Sequence, residues 1–216
     1  MSVPAAFRGR GQSRGRATRA RILAAATRLF VRDGYLATTM ATIAAEAGVA
    51  VQSLYLRFGS KLAILSAALD VAIVGDDEPV PLLERPWMRE LRQADGPGAV
   101  RLLVVQVRRV LERTYPLYAV MQSAAAGEAG ALLADNKHQR FEGERAVAGE
   151  LCAKSGFAAD LSVDRAADLL YALLSEEHYG LLVAERGWSP EAWEAWCIDT
   201  LVQVLFPGAD RRQLGS

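Results

Sequence analysis

Apolar residues recur three and four positions apart along most of the chain, and no stretch of useful length alternates between apolar and polar residues. This spacing predicts helices and no sheet. Apolar residues make up 51% of the 216 residues, which is enough for a packed core. The longest apolar run, 62–74, is too short to cross a bilayer and contains Asp70. We therefore predict an all-α protein without a membrane span.

Turn and capping residues divide this pattern into ten helices. Gly34 ends the first helix, the pair Thr38 and Thr39 caps a second, a third covers about 50–57, and Ser60 caps a fourth. The clearest boundary is the segment GDDEPVP, 75–81, which contains two prolines and three consecutive acids. Beyond it we expect six more helices, near 82–93, 98–114, 116–126, 129–155, 164–185 and 190–206.

Charge is distributed unevenly along the chain. Residues 1–61 contain ten lysines and arginines against two acids, whereas residues 62–216 contain 15 against 23, so a net charge of +8 is followed by one of −8. An anion would be attracted to the first part and repelled by the second. We predict three regions: a disordered basic arm over 1–15, a DNA-binding domain over 16–76 and a larger C-terminal domain over 77–210.

The segment 39–58 has the pattern of a helix, a tight turn and a second helix. Gly48 can adopt the left-handed conformation that reverses the chain after the first of these helices. Ala44 is small enough to let the two helices cross closely, and Ile43 and Leu54 would fill the space between them. This arrangement is the one that places a recognition helix in the major groove of DNA.

The outward face of the second helix would then be available to DNA. Gln52 is the best base reader because its amide can pair with adenine in two places, and the side chains of Ala50 and Val51 suit a thymine methyl group. Hydroxyl and ammonium groups nearby suit phosphate oxygens, which position a protein without reading sequence. The predicted DNA contacts are Thr38, Thr39, Ala50, Val51, Gln52, Ser53, Tyr55, Leu56 and Lys61.

The segment RILAAATRLFVRDGYLATTMATIAAEAGVAVQSLYLRFGSK, 21–61, resembles the DNA-binding domain of the tetracycline-repressor (TetR) family of bacterial transcription regulators. The resemblance implies phosphate contacts by Thr39, Tyr55 and Lys61 and base contacts by 50–53. It also implies a cytoplasmic homodimer that binds a palindromic operator on the nucleoid as a ligand-responsive repressor. Family members often have polar or basic residues where this chain has Ala50, Val51 and Leu56. We hypothesise that recognition here depends more on the basic arm and on DNA shape.

The rest of the chain resembles this family in architecture. The segment 162–206 is similar to the last two helices, which in the family pair with their copies, and both are apolar over a wider face than one core requires. The predicted dimer interface comprises Leu170, Leu174, Leu181, Trp193, Cys197 and Val204. The resemblance also implies an effector cavity lined by aromatic, apolar and amide side chains. The predicted effector contacts are Tyr118, Met121, Gln122 and Phe141.

Catalysis and cofactor binding have little support in the sequence. We find no convergent acid, base and nucleophile, and we expect no cofactor. His138 and His178 have no partners at metal-ligand spacing, and Glu176 and Glu177 are predicted to lie on an exposed helix face. The alternatives that stay open are an activator or a ligand-free adaptor of the same fold and, least favoured, a small helical enzyme.

Overall fold

The computed structural model describes residues 5–76 and 80–209, with side chains from Gly15 onwards. Every regular element in these ranges is helical, as the spacing of apolar residues predicts. The elements are α1 (Ala5–Ala37), α2 (Met40–Ala47), α3 (Val51–Phe58), α4 (Lys61–Val74), a 3-10 turn (Leu82–Glu84), α5 (Pro86–Gln93), α6 (Gly96–Ser123), α7 (Ala129–Cys152), α8 (Val163–Leu173), α9 (Glu176–Tyr179), a π-helical segment (Gly180–Glu185) and α10 (Pro190–Leu205). No helix in the described ranges meets the length and hydropathy needed to cross a membrane.

The first helix is longer than the sequence suggests at both ends. Residues 5–15, for which we predicted disorder, are the start of α1, whereas residues 1–4 lie outside the described part of the chain. No proline follows Pro4 until Pro79, and alanine and arginine favour helix. The predicted stop at Gly34 is a kink with φ 81° and ψ 167°, after which helical turns continue to Ala37.

Three other predicted boundaries differ from the structure. Pro116 lies inside α6 and does not separate two helices. The helix predicted over 164–185 is interrupted after α8, because the Ser175 hydroxyl accepts a hydrogen bond from the His178 amide at 3.0 Å and starts α9. The chain then continues into the π-helical segment before α10.

The chain forms two compact units. The first comprises α1 to α4 together with Pro116–Leu133, and the second comprises Val80–Tyr115 and residues 134–209. The boundary predicted at 76/77 is close to Val80, where the second unit begins, whereas residues 116–133, which we predicted to be part of the C-terminal domain, are grouped with the first unit. That segment is amphipathic, and its apolar side chains complete the core of the first unit. They are Leu117, Tyr118, Val120, Met121, Ala124 and Ala129.

Each unit has its own core. In the first unit, Ile22 and Phe30 of α1 pack with Ile43, Leu54 and Ile64 of the next three helices, and all five are at most 1% exposed. In the second unit the largest fully buried side chain is that of Trp193. Other side chains of that core are Leu91, Val100, Leu111, Leu151, Leu170 and Leu201.

Candidate nucleic-acid interface

Helix α2 begins at a reciprocal cap. Thr39 has extended backbone, and its hydroxyl oxygen accepts a hydrogen bond from the Thr42 amide at 3.1 Å. The Thr42 hydroxyl oxygen in turn accepts one from the Thr39 amide at 3.0 Å. These two bonds satisfy amides that a helix start leaves open and fix the direction of α2. The Thr39 side chain remains exposed.

The turn between α2 and α3 has the geometry that a helix-turn-helix requires. Gly48 adopts the left-handed conformation, with φ 64° and ψ 45°. Its amide donates to the Ala45 carbonyl at 3.2 Å, and the Val49 amide donates to the Ala44 carbonyl at 3.0 Å. Both bonds close the C-terminus of α2, and the chain reverses into α3 within three residues.

Helix α3 separates sharply into a buried side and an exposed side. Leu54 is fully buried and Phe58 packs partly against the same core. Tyr55 is 54% exposed and Leu56 is 90% exposed. Exposed residues also include Ala50, Val51, Gln52, Ser53 and Arg57. Every residue of α3 that we predicted to face DNA therefore lies on the solvent side.

The start of α3 is open to an anion. Ala50 occupies the N-cap position, and its methyl side chain cannot accept a hydrogen bond from the first amides of the helix. Those amides carry the positive end of the helix dipole and are exposed beside the predicted base readers. This feature suits a DNA phosphate next to the bases that Val51 and Gln52 would contact.

Lys61 holds the two ends of the helix-turn-helix together. Its ammonium group donates to the Tyr35 carbonyl at 2.7 Å and to the Thr38 carbonyl at 2.9 Å. It also lies 4.1 Å from the centre of the Tyr35 ring. A lysine has three N–H donors, so one remains for a phosphate oxygen. Burial and the nearby Glu128 carboxylate raise the pKa of Tyr35, so this ring stays neutral.

Thr38 departs from its predicted role. It is 1% exposed, and its hydroxyl donates to the Gly34 carbonyl at 2.8 Å. The same carbonyl also accepts a hydrogen bond from the Thr38 amide at 3.3 Å. Thr38 therefore ties the end of α1 to the start of α2 and presents no hydroxyl to solvent, whereas Thr39 does.

Sequence comparison agrees with this geometry. Residues 22–68 match the family described as "Bacterial regulatory proteins, tetR family". These residues contain the capped α2, the glycine turn and the whole of α3, and they end within α4. Over these residues the chain is similar to that family. No curated protein sequence matches the chain.

Solved structures of three transcription regulators share the fold over most of the chain. NalD from Pseudomonas aeruginosa, the secondary repressor of the MexAB-OprM multidrug efflux pump, is 16% identical, with 89% of this chain and 98% of that chain covered and a TM-score of 0.63. FadR from Bacillus subtilis, solved with stearoyl-CoA, is 17% identical, with 86% and 98% covered and a TM-score of 0.67. A regulator from Saccharomonospora viridis, solved with choline, is 21% identical, with 86% and 95% covered and a TM-score of 0.62. These likenesses establish the fold and confirm the predicted all-α class.

The four predicted effector contacts are divided between the two units. Tyr118 and Met121 are at most 1% exposed within the core of the first unit. Gln122 is exposed and its amide donates to the Tyr118 hydroxyl at 3.3 Å. Phe141 belongs to the second unit, where its ring meets that of Tyr171 edge-on, with centroids 5.6 Å apart. An apolar side chain at helical spacing can line a core or a cavity, and the sequence does not distinguish the two.

The six predicted dimer contacts divide by burial. Leu170, Leu174, Trp193 and Cys197 are at most 1% exposed, because the second unit uses them in its own core. Leu181 and Val204 are 50% and 42% exposed. Two further aromatic side chains, Trp188 and Trp196, are exposed and were not among the predicted dimer contacts. Their ring centroids are 6.4 Å apart, and that of Trp196 lies 5.3 Å from that of His178.

The second unit also contains a buried group of charges. The Arg140 guanidinium lies 3.4 Å from carboxylate oxygens of both Glu144 and Glu176 and 3.6 Å from one of Glu177. Glu176 is 4% exposed, so our prediction that it lies on an exposed helix face is wrong. Burial raises the pKa of Glu144 to about 8, Arg140 opposes the rise and the neighbouring glutamates add to it. Burial raises the pKa of Glu176 as well. No group of three potential metal ligands occurs in the described ranges.

Proposed function

We propose that this chain is a ligand-responsive repressor that binds a palindromic operator as a homodimer. The observation that carries the proposal is the exposed side of α3, with its uncapped start and with Thr39 and Lys61 beside it. The similarity of residues 22–68 to the tetR family supports DNA binding as the general role. Positive charge in residues 1–61 and negative charge in the remainder would orient the first unit towards DNA.

Within this proposal the residues at the start of α3 read bases. The N-terminal residues of a recognition helix are those that reach base edges in the major groove. Gln52 would pair with adenine, and Ala50 and Val51 would contact thymine methyl groups. Tyr55, Thr39 and Lys61 would bind phosphate oxygens and set the register.

Dimerisation would use the exposed apolar side chains of the second unit. Leu181, Trp188, Trp196 and Val204 are each between 37% and 50% exposed, and the rings of the two tryptophans lie 6.4 Å apart. Large apolar side chains that are exposed in this way indicate a contact site. Two copies joined by this surface would present two copies of α3 related by a two-fold axis. Such a pair would fit a palindrome whose half-sites are about one helical turn apart.

An effector would act through linkage between two sites. Suppose that the effector favours a separation of the two reading helices that does not match the half-sites. Effector binding then lowers the affinity for DNA, and DNA binding lowers the affinity for the effector by the same factor. FadR was solved with stearoyl-CoA and the Saccharomonospora viridis regulator with choline. We place the effector site in the C-terminal domain of this chain, with Phe141 as the first candidate contact.

The deciding experiment is selection of duplex DNA from a random pool with the purified full-length protein. Recovery of a palindrome is the expected result, and it would establish sequence reading and two-fold symmetry together. For Gln52→Ala we expect the same palindrome with preference lost at one base pair per half-site, because a paired amide contributes about 1–3 kcal/mol of discrimination. Failure to enrich any sequence at moderate salt would refute the proposal. Reporter transcription from the recovered site then separates a repressor from an activator.

A further inference from the structure

A cluster of arginines lies at the start of α1 and the end of α3, outside the predicted DNA contacts. Arg57, in the last turn of α3, donates from its guanidinium to the carbonyl of Gly15 at 3.3 Å, although 42 residues separate the two in sequence. Gly15, Arg16, Arg19 and Arg57 line one open depression on the surface of the first unit. Three guanidinium groups are therefore gathered where α1 begins and α3 ends.

Positive charge predominates in the depression itself. No acidic residue of the described ranges lines it. Asp70 does not line it, and its carboxylate interacts electrostatically with Arg19. Arg16 and Arg57 are exposed. Like charges held this close repel one another, and an anion between them would remove the repulsion.

The geometry distinguishes this cluster from a solvated tail. The bond from Arg57 to Gly15 is tertiary, and it fixes the start of α1 against the helix that would enter the groove. An arginine has five N–H donors, so Arg57 retains donors for a phosphate after making this bond. The sequence carries three more arginines, at 8, 10 and 14, in the part of α1 that precedes Gly15. At 1.5 Å per residue, the helix carries this basic sequence roughly 10 Å further along its axis.

We propose that Arg16, Arg19 and Arg57 form a second phosphate-binding surface, which holds the DNA backbone outside the bases read by α3. This inference rests on the proposed function, since it assumes that α3 enters the major groove. It adds a contact that reads no bases, so its loss reduces affinity equally for all sequences. The bound DNA must then extend beyond the base pairs that the palindrome specifies.

The test is the dependence of DNA affinity on salt concentration. Each phosphate contact contributes about 0.9 to the slope of log affinity against log salt. We expect Arg16→Ala and Arg57→Ala each to reduce the magnitude of this negative slope by about 0.9, and the double variant to reduce it by about 1.8. Between 50 and 200 mM salt, the affinity of the double variant should therefore change about 12-fold less than that of the wild type. The probe is the duplex recovered by selection, with a scrambled duplex of equal length for comparison.

Two further variants make the result specific. Arg57→Lys keeps the charge and should keep most of the slope, whereas Arg89→Ala removes an exposed arginine from α5 in the second unit and should leave the slope unchanged. Thermal unfolding of every variant checks that the fold is intact. Slopes for Arg16→Ala and Arg57→Ala equal to that of Arg89→Ala would overturn the inference, as would a change in base preference without a change in slope. If the wild type itself enriches no sequence, the proposed function fails and not only this surface.

Discussion

Each structural unit holds a cation 4.1 Å from the centre of a tyrosine ring, yet the two cations have opposite surroundings. Lys61, over Tyr35, is held by two backbone carbonyls, which carry no net charge. Arg140, over Tyr171, donates to one backbone carbonyl at 3.1 Å and lies among three glutamates. The same aromatic contact therefore belongs to a cation held by neutral oxygens in one unit and to a cation surrounded by carboxyl groups in the other.

This difference indicates that the two cations have different roles: one is available to an external anion and the other is already paired inside its unit. A lysine satisfied by neutral oxygens keeps its charge for an external anion, so the Lys61 site suits DNA phosphate. The Arg140 site has an excess of carboxylates, and burial raises the pKa of both Glu144 and Glu176. Its carboxyl groups already occupy the cation, and its charge depends on pH. Four substitutions test this contrast.

The largest effect on stability is expected for Arg140→Leu. The substitution leaves carboxylates buried without their cation, which typically destabilises a protein by about 3–5 kcal/mol. We expect a loss of about 3 kcal/mol in the free energy of unfolding at pH 8 and a smaller loss at pH 5, where Glu144 is protonated. Arg165→Leu is the control, because its ion pair with Asp168 is largely exposed and should contribute less than about 1 kcal/mol. Equal losses for the two variants would contradict the buried role of Arg140.

Lys61→Met should reduce both stability and DNA binding. It removes two hydrogen bonds to part-buried carbonyls, so we expect a loss of about 2 kcal/mol in the free energy of unfolding. Affinity for the selected duplex should fall at least about tenfold without a change in base preference, because a charged donor to phosphate is lost. Lys137→Met removes a lysine from the acidic group of the second unit and should leave DNA affinity unchanged. An equal loss of affinity in both variants would indicate a general charge effect.

Glu144→Gln should change how stability depends on pH. The pKa of Glu144 is about 8 in the folded protein, compared with 4.5 for a solvated glutamate such as that of the unfolded chain. The folded state therefore binds the proton more tightly. The resulting stability is complete below pH 4.5 and is lost as the pH rises to about 8, with a slope of at most about 1.4 kcal/mol per pH unit.

The glutamine variant should lack this slope and should gain stability relative to the wild type as the pH rises. Denaturant unfolding of both proteins between pH 5 and 8 measures the difference, and other groups such as His178 cancel in the comparison. Parallel pH profiles would show that Glu144 does not titrate in this range. Because Arg140, Glu176 and Glu177 surround Glu144, the transition belongs to the group as a whole.

The smallest effect is expected for Tyr55→Phe. The side chain is 54% exposed, so removing its hydroxyl should leave the fold unchanged. A lost hydrogen bond to phosphate of about 0.7 kcal/mol would weaken binding about threefold for selected and scrambled duplexes alike. Quantitative binding to both duplexes measures this. A loss confined to the selected duplex would make Tyr55 a base reader.

The helix-turn-helix could be predicted almost residue by residue. Thr39 caps α2, Gly48 turns the chain and Leu54 is buried while Gln52 and Tyr55 are exposed. Each of these features depends on residues within about five positions in the sequence. Helix periodicity and turn chemistry are local, and they leave few alternatives for such a segment.

The errors have a different origin. Thr38 is buried by its bond to Gly34 across a kink, and Glu176 is buried because α7 places Arg140 against it. We predicted that Trp193 and Cys197 contact a partner, but both side chains are buried in the core of the second unit. A wide apolar face indicates that a helix has neighbours, and it does not indicate whether those neighbours belong to the same chain.

The sequence by itself determined that the chain is helical, where α2 and α3 begin and end, and which side of α3 faces outward. These properties follow from interactions between near neighbours in the chain. Only the tertiary structure decided that 116–133 completes the first core, that Arg57 reaches Gly15, and that Arg140 is enclosed by glutamates. Each of these depends on packing between helices that are distant in sequence, and neither periodicity nor composition records which helices meet.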